Sequence, residues 1–382
     1  SGRVVAMRSA LRDPTRRSLL VAAALGLLGI GALQAMYGPA FPGLIQRYGV
    51  GVDAVGLTVV LNFAASFVAT VASSVLLVRV GYRPVLIGAG ATMTAGVLLA
   101  ALAPTWTWLL IGAALAGLGF GLLNVAFNLL VARVFAPNAA PILNLMSAVF
   151  GVGAVLGPAA VGAVDGSLRL PFLALALVVG TSTVLSFRVP EPEAAPPAKP
   201  AALPWLAALG FVALYALYVA TESGVASWET VHLEPSLGAR SAAFMTSVFW
   251  IALTIGRLLA IPLSARIQPR TLVLLATAAG LAALTAAHVT AFAPVAYALA
   301  GLAFAPVFPT TLAWIERVFP RRSERIVPLA LAFANVGPVA GTAAIGAWVA
   351  RSGPGVIPTA LSGIAAALLL VVASLWWRTR HA

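Results

Sequence analysis

Long apolar runs alternate with short polar segments along the whole chain. Each run of about 20 residues is long enough to cross about 30 Å of hydrocarbon as an α-helix. The runs are continuously apolar and do not alternate in polarity, which favours helices over the strands of a membrane barrel. We therefore predict an all-α membrane protein. The predicted spans number twelve and lie at 19–42, 55–78, 84–103, 107–134, 141–164, 170–188, 204–229, 242–264, 271–290, 294–315, 327–350 and 356–377.

The second half of the sequence repeats the first half in the same direction. A shift of 184 positions places 117–163 on 301–347 and brings identities into register without a gap, among them Arg133 with Arg317 and Gly153 with Gly337. A parallel duplication in an apolar protein predicts two six-helix bundles, as in two-halved transporters. A proline-rich, charged segment between the halves predicts a linker. The predicted division is an N-terminal arm 1–17, a bundle 18–188, a cytoplasmic linker 189–203 and a bundle 204–382.

The composition requires a lipid environment. The 382 residues are 61% hydrophobic and 9% charged, with a mean hydropathy of +1.02. The net charge of +13 does not indicate a nucleic-acid partner, because the basic residues are distributed by membrane side and form no single patch. Most of the basic residues fall on one side of the predicted spans, and this excess predicts that both termini are cytoplasmic. The arginine and alanine bias, with a single lysine, is typical of a GC-rich bacterial genome and suggests the bacterial inner membrane. The basic residues that fall on the opposite side are Arg47, Arg169, Arg240 and Arg351.

Metal, cofactor and enzyme chemistry find little support in the sequence. Cysteine is absent, so disulfides and cysteine-ligated metals are excluded. The histidines, His232, His288 and His381, are isolated near span ends and show no metal-ligand spacing. No glycine-rich phosphate loop follows a predicted strand. We expect neither an enzyme nor a bound cofactor.

Several motifs resemble a known transporter family. In Ser74–Leu86, Arg79, Gly81 and Arg83 resemble the loop between helices 2 and 3 of the major facilitator superfamily, although Val78 stands where that family has an aspartate. The resemblance implies the major facilitator fold and secondary transport. Further segments resemble the fucose:proton symporter group and its glucose-transporting relatives, namely Gly117–Val131, Leu143–Pro158, Tyr218–Trp228 and Gly301–Trp314. Where the fucose symporters carry an aspartate on helix 1 and a glutamate on helix 4, this sequence has the polar residues Gln34, Tyr37, Asn124 and Asn128.

Two full charges are expected deep inside the predicted spans. Glu222 lies on the seventh span and Arg257 on the eighth. Tyr215, Tyr218, Glu222 and Glu229 follow one another at spacings of three, four and seven, which places them on one helical face. A carboxyl group held away from water can exchange a proton, as a coupling site requires. The alternative for Glu222 is a clamp for helix packing, pinned by Arg257.

Amides and aromatic rings within the spans are candidates for substrate binding. An amide both donates and accepts hydrogen bonds, so it suits neutral hydroxyl groups, and a flat ring suits the face of a sugar. Interhelical hydrogen bonds and ordinary packing are the alternatives. The candidate substrate-binding residues are Gln34, Tyr37, Asn62, Asn124, Asn128, Tyr218, Trp228, Trp250, Phe308 and Asn335.

The predicted function is secondary active transport by a monomer. The favoured hypothesis is symport of a small neutral solute, such as a monosaccharide, with a proton or less favourably a sodium ion, coupled at Glu222 and Arg257. The alternative is proton-driven export of hydrophobic or cationic compounds. Charged residues at the cytoplasmic span ends are predicted to gate the transporter, with Glu316 and Arg317 forming an ion pair or a loop clamp. The predicted gating residues are Arg79, Arg83, Arg133, Glu316 and Arg317.

Overall fold

The chain is helical throughout the part that the structure describes. The computed structural model describes residues 13–136, 139–192, 205–319 and 323–379, which contain no β-strand. A 3-10 turn covers Pro354–Val356. The helices are α1 (Pro14–Tyr48), α2 (Val52–Val55), α3 (Leu57–Arg79), α4 (Tyr82–Ala101), α5 (Trp106–Val134), α6 (Ala139–Ala163), α7 (Arg169–Ser186), α8 (Trp205–Leu237), α9 (Ala239–Ser264), α10 (Pro269–Ala286), α11 (Ala293–Phe304), α12 (Val307–Val318), α13 (Ser323–Ala334), α14 (Val336–Ser352) and α15 (Ile357–Arg378).

Twelve segments of these helices are apolar and long enough to cross a membrane, which confirms the predicted number. Three spans are each built from two successive helices: α2 with α3, α11 with α12, and α13 with α14. Pro306 lies at the break between α11 and α12, where its missing N–H cannot continue the helical hydrogen bonding. Asn335 lies at the break between α13 and α14. The sequence pattern predicted neither break.

Two helices extend beyond their predicted spans. The first span was predicted to end at 42, but α1 continues to Tyr48 and places Gln46 and Arg47 at an exposed end. The seventh span was predicted to end at 229, but α8 continues to Leu237. Glu229 and Thr230 are fully buried against protein. Glu229 and Thr230, which stand at the predicted end of the span, are therefore interior residues of α8.

Large apolar side chains cover the outside of several helices. Leu177 of α7 is 72% exposed and Leu370 of α15 is 73% exposed. Such faces are incompatible with water as the surrounding solvent, and they fit hydrocarbon. Together with the twelve spans, they identify a multi-pass membrane protein.

The duplication seen in the sequence is also seen in the packing. A Cβ on Gly153 of α6 would meet the backbone of Leu28 on α1 and lie 3.0 Å from the nitrogen of Ala32. Gly337, which occupies the same repeat position on α14, would meet the backbone of Ala216 on α8 in the same way. In each half, the first and fifth spans therefore cross with their backbones in close contact, and glycine is required there.

The chain forms two compact units. The first consists of Ser1–Gln34, Ala64–Gly157 and Leu168–Ala198, and the second of Ala35–Phe63, Pro158–Ser167 and Lys199–Ala382, each over its described residues. Residues 1–12 of the predicted arm and 193–203 of the predicted linker lie outside the described residues. The predicted boundaries of the two bundles stay predictions.

Candidate substrate and coupling site

Glu222 lies at the centre of a small polar cluster in the second unit. It is 7% exposed and sits one helical turn after Tyr218 on α8. The Tyr218 hydroxyl donates a hydrogen bond to Glu222 Oε2. Arg257 Nη2 of α9 lies 3.8 Å from the same oxygen, and the Arg257 side chain is 29% exposed. The structure thus brings the predicted coupling residues together, with Tyr218 as a third member.

An aromatic group surrounds this cluster on one side. The Tyr215 hydroxyl donates to the carbonyl oxygen of Phe308 over 2.9 Å. The Phe308 ring centroid lies 5.0 Å from that of Tyr215 and 6.1 Å from that of Tyr218. Phe308 is the second residue of α12, directly after the break at Pro306, so the broken span places a half-buried ring beside the two tyrosines of α8.

A close approach of α9 to α11 fixes the position of Arg257. A Cβ on Gly256 would lie only 2.5 Å from both the Cβ of Ala305 and the carbonyl oxygen of Leu302. Glycine at this position lets α9 contact the broken span at the level of Arg257. The Nε atom of Arg257 has no hydrogen-bond partner among the described residues, so the guanidinium keeps a donor for other contacts.

Two of the predicted aromatic residues are packed against protein. Trp228 is completely buried and meets Phe41 edge to face at a centroid distance of 5.2 Å. Cβ atoms on Gly56 and Gly346 would lie 3.3 Å and 3.0 Å from the Trp228 ring. Trp250 is also buried, and within the described residues neither indole nitrogen has a partner. Trp228 therefore fills a contact among α1, α2, α8 and α14.

The predicted amides divide between the two units. In the second unit, buried Asn62 interacts with the hydroxyl of Tyr37, and Asn335 Nδ2 donates to the carbonyl oxygen of Ala332 over 3.2 Å. In the first unit, Asn128 Nδ2 donates to Asn124, over 2.7 Å to its carbonyl oxygen and 3.1 Å to its Oδ1. Gln34 is half-buried on α1 in the first unit.

A family comparison decides what kind of protein carries this site. The family model described as Major Facilitator Superfamily matches residues 23–235, more than half of the chain. The chain belongs to the Major Facilitator Superfamily. Proteins of this family are membrane transporters, so the resemblance found in the sequence is confirmed at the level of the superfamily. Membership of the fucose:proton symporter or sodium-glucose-type group stays a prediction.

Individual relatives support the superfamily but no finer assignment. The major facilitator superfamily domain-containing protein 4A of Xenopus tropicalis is 34% identical over 87 residues, which cover 22% of this chain and only 17% of that protein. A nucleoside transporter matches with a TM-score of 0.78 and 12% identity, over 95% of this chain and 100% of its own. A D-xylose-proton symporter matches with a TM-score of 0.75 and 16% identity, over 95% and 97%. At these identities, the structural similarity shows the fold alone.

The superfamily loop between the second and third spans is hydrogen bonded to Glu191, a contact that the sequence analysis did not predict. Glu191 accepts hydrogen bonds from the backbone nitrogens of Tyr82 and Arg83, over 2.5 Å and 2.7 Å, and so caps the start of α4. The Arg83 side chain donates to the carbonyl oxygen of Val189 over 2.7 Å. Gly81 has a φ of 91°, and a Cβ there would lie 2.6 Å from Glu191 Oε1, so this superfamily glycine is required by geometry.

The other predicted gating residues of this superfamily member lie at exposed span ends. The Arg133 guanidinium lies 5.2 Å from the centre of the Tyr82 ring, within range of a cation–π contact. Arg79, Glu316 and Arg317 are exposed. Among the described residues, Glu316 forms no ion pair. A gating role for these residues stays a prediction.

The structure adds Glu229 to the two ionisable residues that were predicted to lie deep inside the spans, Glu222 and Arg257. Glu229 was expected at the end of a span, but it is 0% exposed in the interior of α8. His232 is also not isolated, because its Nδ1 lies 2.8 Å from the hydroxyl of Tyr297 on α11. The regular spacing of Glu229 from Glu222 was the sequence signal for this placement. No group of three or more potential metal ligands occurs in the described part of the chain.

Proposed function

We propose that this transporter takes up a small neutral polyhydroxylated solute, such as a monosaccharide, together with a proton. Access to the solute alternates between the two sides of the membrane. The observation that carries the proposal is the buried cluster of Glu222, Tyr218 and Arg257. It holds a buried carboxyl group, paired with Arg257 and hydrogen bonded by Tyr218, that can take up and release a proton.

The chemistry of the cluster supports proton coupling at Glu222. In the ionised state, the carboxylate is stabilised by the Tyr218 hydroxyl and by the charge of Arg257. When the carboxyl group takes up a proton, Arg257 loses its counterion. An unpaired charge costs about 3–5 kcal/mol in fully buried pairs, and less here because Arg257 is partly exposed. Protonation therefore favours a rearrangement around Arg257, which is the behaviour that coupling requires. Sodium in place of the proton is the less favoured variant.

The surroundings of the cluster suit a neutral hydroxylated solute. Phe308 offers a half-buried ring next to Tyr218, and Arg257 Nε is a buried donor without a partner in the described residues. Gln34, Asn124 and Asn128 of the first unit are separate candidates, because their amides donate and accept hydrogen bonds. We propose these residues as substrate ligands, with both termini cytoplasmic and the bacterial inner membrane as the location.

A second candidate function is proton-driven export of hydrophobic or cationic compounds. The observation that favours it is the group of aromatic rings formed by Tyr215, Tyr218 and Phe308, in which Tyr218 is hydrogen bonded to the carboxylate of Glu222. Cations bind to aromatic faces and to carboxylates, so the same cluster suits a lipophilic cation.

Transport by reconstituted protein tests both candidates. Radiolabelled monosaccharides are offered to proteoliposomes with an imposed inward proton gradient, an inward sodium gradient or no gradient. We expect the native protein to accumulate a sugar with the proton gradient, and Glu222→Gln to lose accumulation but keep sugar exchange. Glu234→Gln, a change on the same helix outside the cluster, is the matched control. Absence of sugar transport with every gradient, combined with extrusion of a lipophilic cation, would establish the second candidate instead.

A further inference from the structure

Glu229 is a buried carboxyl group that the proposed coupling cluster does not use. It lies seven residues after Glu222 on α8, which is two helical turns or roughly 10 Å along the same face. The side chain is completely buried, and neither carboxyl oxygen has a hydrogen-bond partner among the described residues. Thr246 of α9 lies beside it, but the Thr246 hydroxyl is shared with Thr230 over 3.1 Å.

Within the described residues, no cation forms an ion pair with Glu229. This holds for the charged and titratable side chains on each of the helices packed against α8. An unpaired, ionised carboxylate inside a membrane protein is strongly unfavourable, so Glu229 carries a proton in this arrangement. The side chains concerned are Arg240 and Arg257 on α9, Tyr297 on α11, Glu316 and Arg317 on α12, Arg351 on α14, Arg378 on α15, Tyr37, Arg47 and Tyr48 on α1, and Asp53 on α2.

A hydrogen-bonded pair, His232 and Tyr297, lies on the part of α8 that follows Glu229 and on the neighbouring α11. Tyr297 feels the electrostatic influence of Glu229, and its hydroxyl lies 2.8 Å from His232 Nδ1. His232 follows Glu229 by one helical turn and is partly exposed. His288 interacts electrostatically with His232 and is itself exposed, with Nε2 3.0 Å from Thr359 Oγ1. In the predicted orientation, this surface is the outer one.

We infer that Glu229 is a second proton-binding site of this transporter, filled and emptied through Tyr297 and His232. In the filling step, a protonated His232 releases its Nδ1 proton to the Tyr297 oxygen as Tyr297 passes its own hydroxyl proton to the Glu229 carboxylate. The imidazole ends neutral, the tyrosine is unchanged and Glu229 becomes the acid. In this structure, Tyr297 and Glu229 are not hydrogen bonded, so a movement must bring them together before the proton passes. The inference rests on the proposed function in one respect: a second proton-binding site contributes to transport only if the protein transports protons.

Infrared spectroscopy tests the site without a transported solute. Reconstituted native protein, Glu229→Gln and Glu234→Gln are compared across a range of external pH and after transfer to D₂O. We expect one carboxylic-acid carbonyl band to be missing only in Glu229→Gln, and the same band to fall in the native protein as pH rises. In Tyr297→Phe, which keeps Glu229, we expect this band to exchange its proton for deuterium more slowly, by about tenfold or more.

Two infrared results would overturn the inference. If Glu229→Gln removes no acid band, or if the band never responds to pH or D₂O, Glu229 is not an exchangeable proton site. If Tyr297→Phe and His232→Gln exchange as fast as the native protein, the path through these residues is wrong. These two variants also decide the question if Glu229→Gln does not fold.

Transport assays separate this inference from the proposed function. We expect Glu229→Gln to lose accumulation driven by the proton gradient while it keeps exchange. Full accumulation by Glu229→Gln together with loss in Glu222→Gln would overturn the second site and leave the proposed function intact. If the native protein accumulates no sugar with any gradient, the proposed function fails, and the infrared result alone decides whether Glu229 binds an exchangeable proton.

Discussion

Gly38 lies where the backbones of α1 and α8 are in close contact, and adding one methyl group there should weaken that contact. A Cβ on Gly38 would lie 2.5 Å from the Cα of Ser227 and 2.8 Å from its carbonyl oxygen, and it would also meet the carbonyl oxygen of Ala226. All of these atoms belong to the helix backbone, so they cannot rotate away as a side chain can. Overpacking of this kind typically costs about 1–3 kcal/mol. Gly38→Ala raises the free energy only of conformations in which α1 and α8 remain in contact at this position.

If the transport cycle separates α1 from α8 at this level, the cost shifts the population toward the separated state. Each 1.4 kcal/mol changes an equilibrium about tenfold, so the expected shift is about 5-fold to about 150-fold. The chain has no cysteine, so one introduced thiol can report the change. Thr342 is completely buried and lies within 3.4 Å of the Cβ position of Gly56. A membrane-impermeant maleimide should label Thr342→Cys at least about fivefold faster when Gly38→Ala is also present.

Gly363→Ala is the matched control for this experiment. It also adds a methyl group to a helical glycine of the second unit, but no atom lies within 4 Å of the new Cβ. We expect it to leave the labelling rate unchanged. If folded Gly38→Ala protein is labelled at the native rate, the contact between α1 and α8 does not separate during the cycle, and the reasoning fails.

Two further predictions concern stability. Glu191→Gln weakens the cap on two backbone nitrogens at the start of α4, so the free energy of unfolding should fall by about 0.5–2 kcal/mol, measured by denaturation in detergent with Glu234→Gln as the control. An unchanged stability would show that the cap is not maintained in solution. Gly153→Ala and Gly337→Ala should each cost about 1–3 kcal/mol, because each new methyl group meets helix backbone. Markedly unequal losses would contradict equivalent packing in the two halves.

The helical class and the number of spans follow from the sequence because hydrocarbon imposes a minimum length on an apolar helix. The equivalence of Gly153 and Gly337 was also visible in the sequence, and both glycines prove to lie where two backbones meet. By contrast, the break at Pro306 and the continuation of α8 past Glu229 were not predicted. A hydropathy pattern records polarity but not its cause, so it cannot separate a polar residue at the water interface from one buried against other helices.

The candidate site was predictable to the extent that it lies on one helix. Tyr218, Glu222 and Glu229 share a face by spacing alone, whereas the pairing of Glu222 with Arg257 depends on how α8 packs against α9. The role of Glu191 was not visible, because its partners lie 108 and 109 residues away in the sequence. Such contacts are set by tertiary packing, and no local pattern encodes them.

The duplication shows which residues of the first half stand at the positions of the ionisable cluster. At the offset of 184, Tyr215 and Glu222 of α8 correspond to Gly31 and Gly38 of α1. Both glycines lie in close backbone contacts, Gly31 against Phe150 and Gly38 against α8 itself. A side chain at either position would separate those helices, so the first copy keeps the close packing, whereas the second copy carries Tyr215 and Glu222, the residue that we propose binds the coupling proton. If Glu222 binds the coupling proton as proposed, a change in its protonation is expected to act on the contact of α8 with Gly38, so Gly38→Ala should alter coupling although it touches no ionisable group.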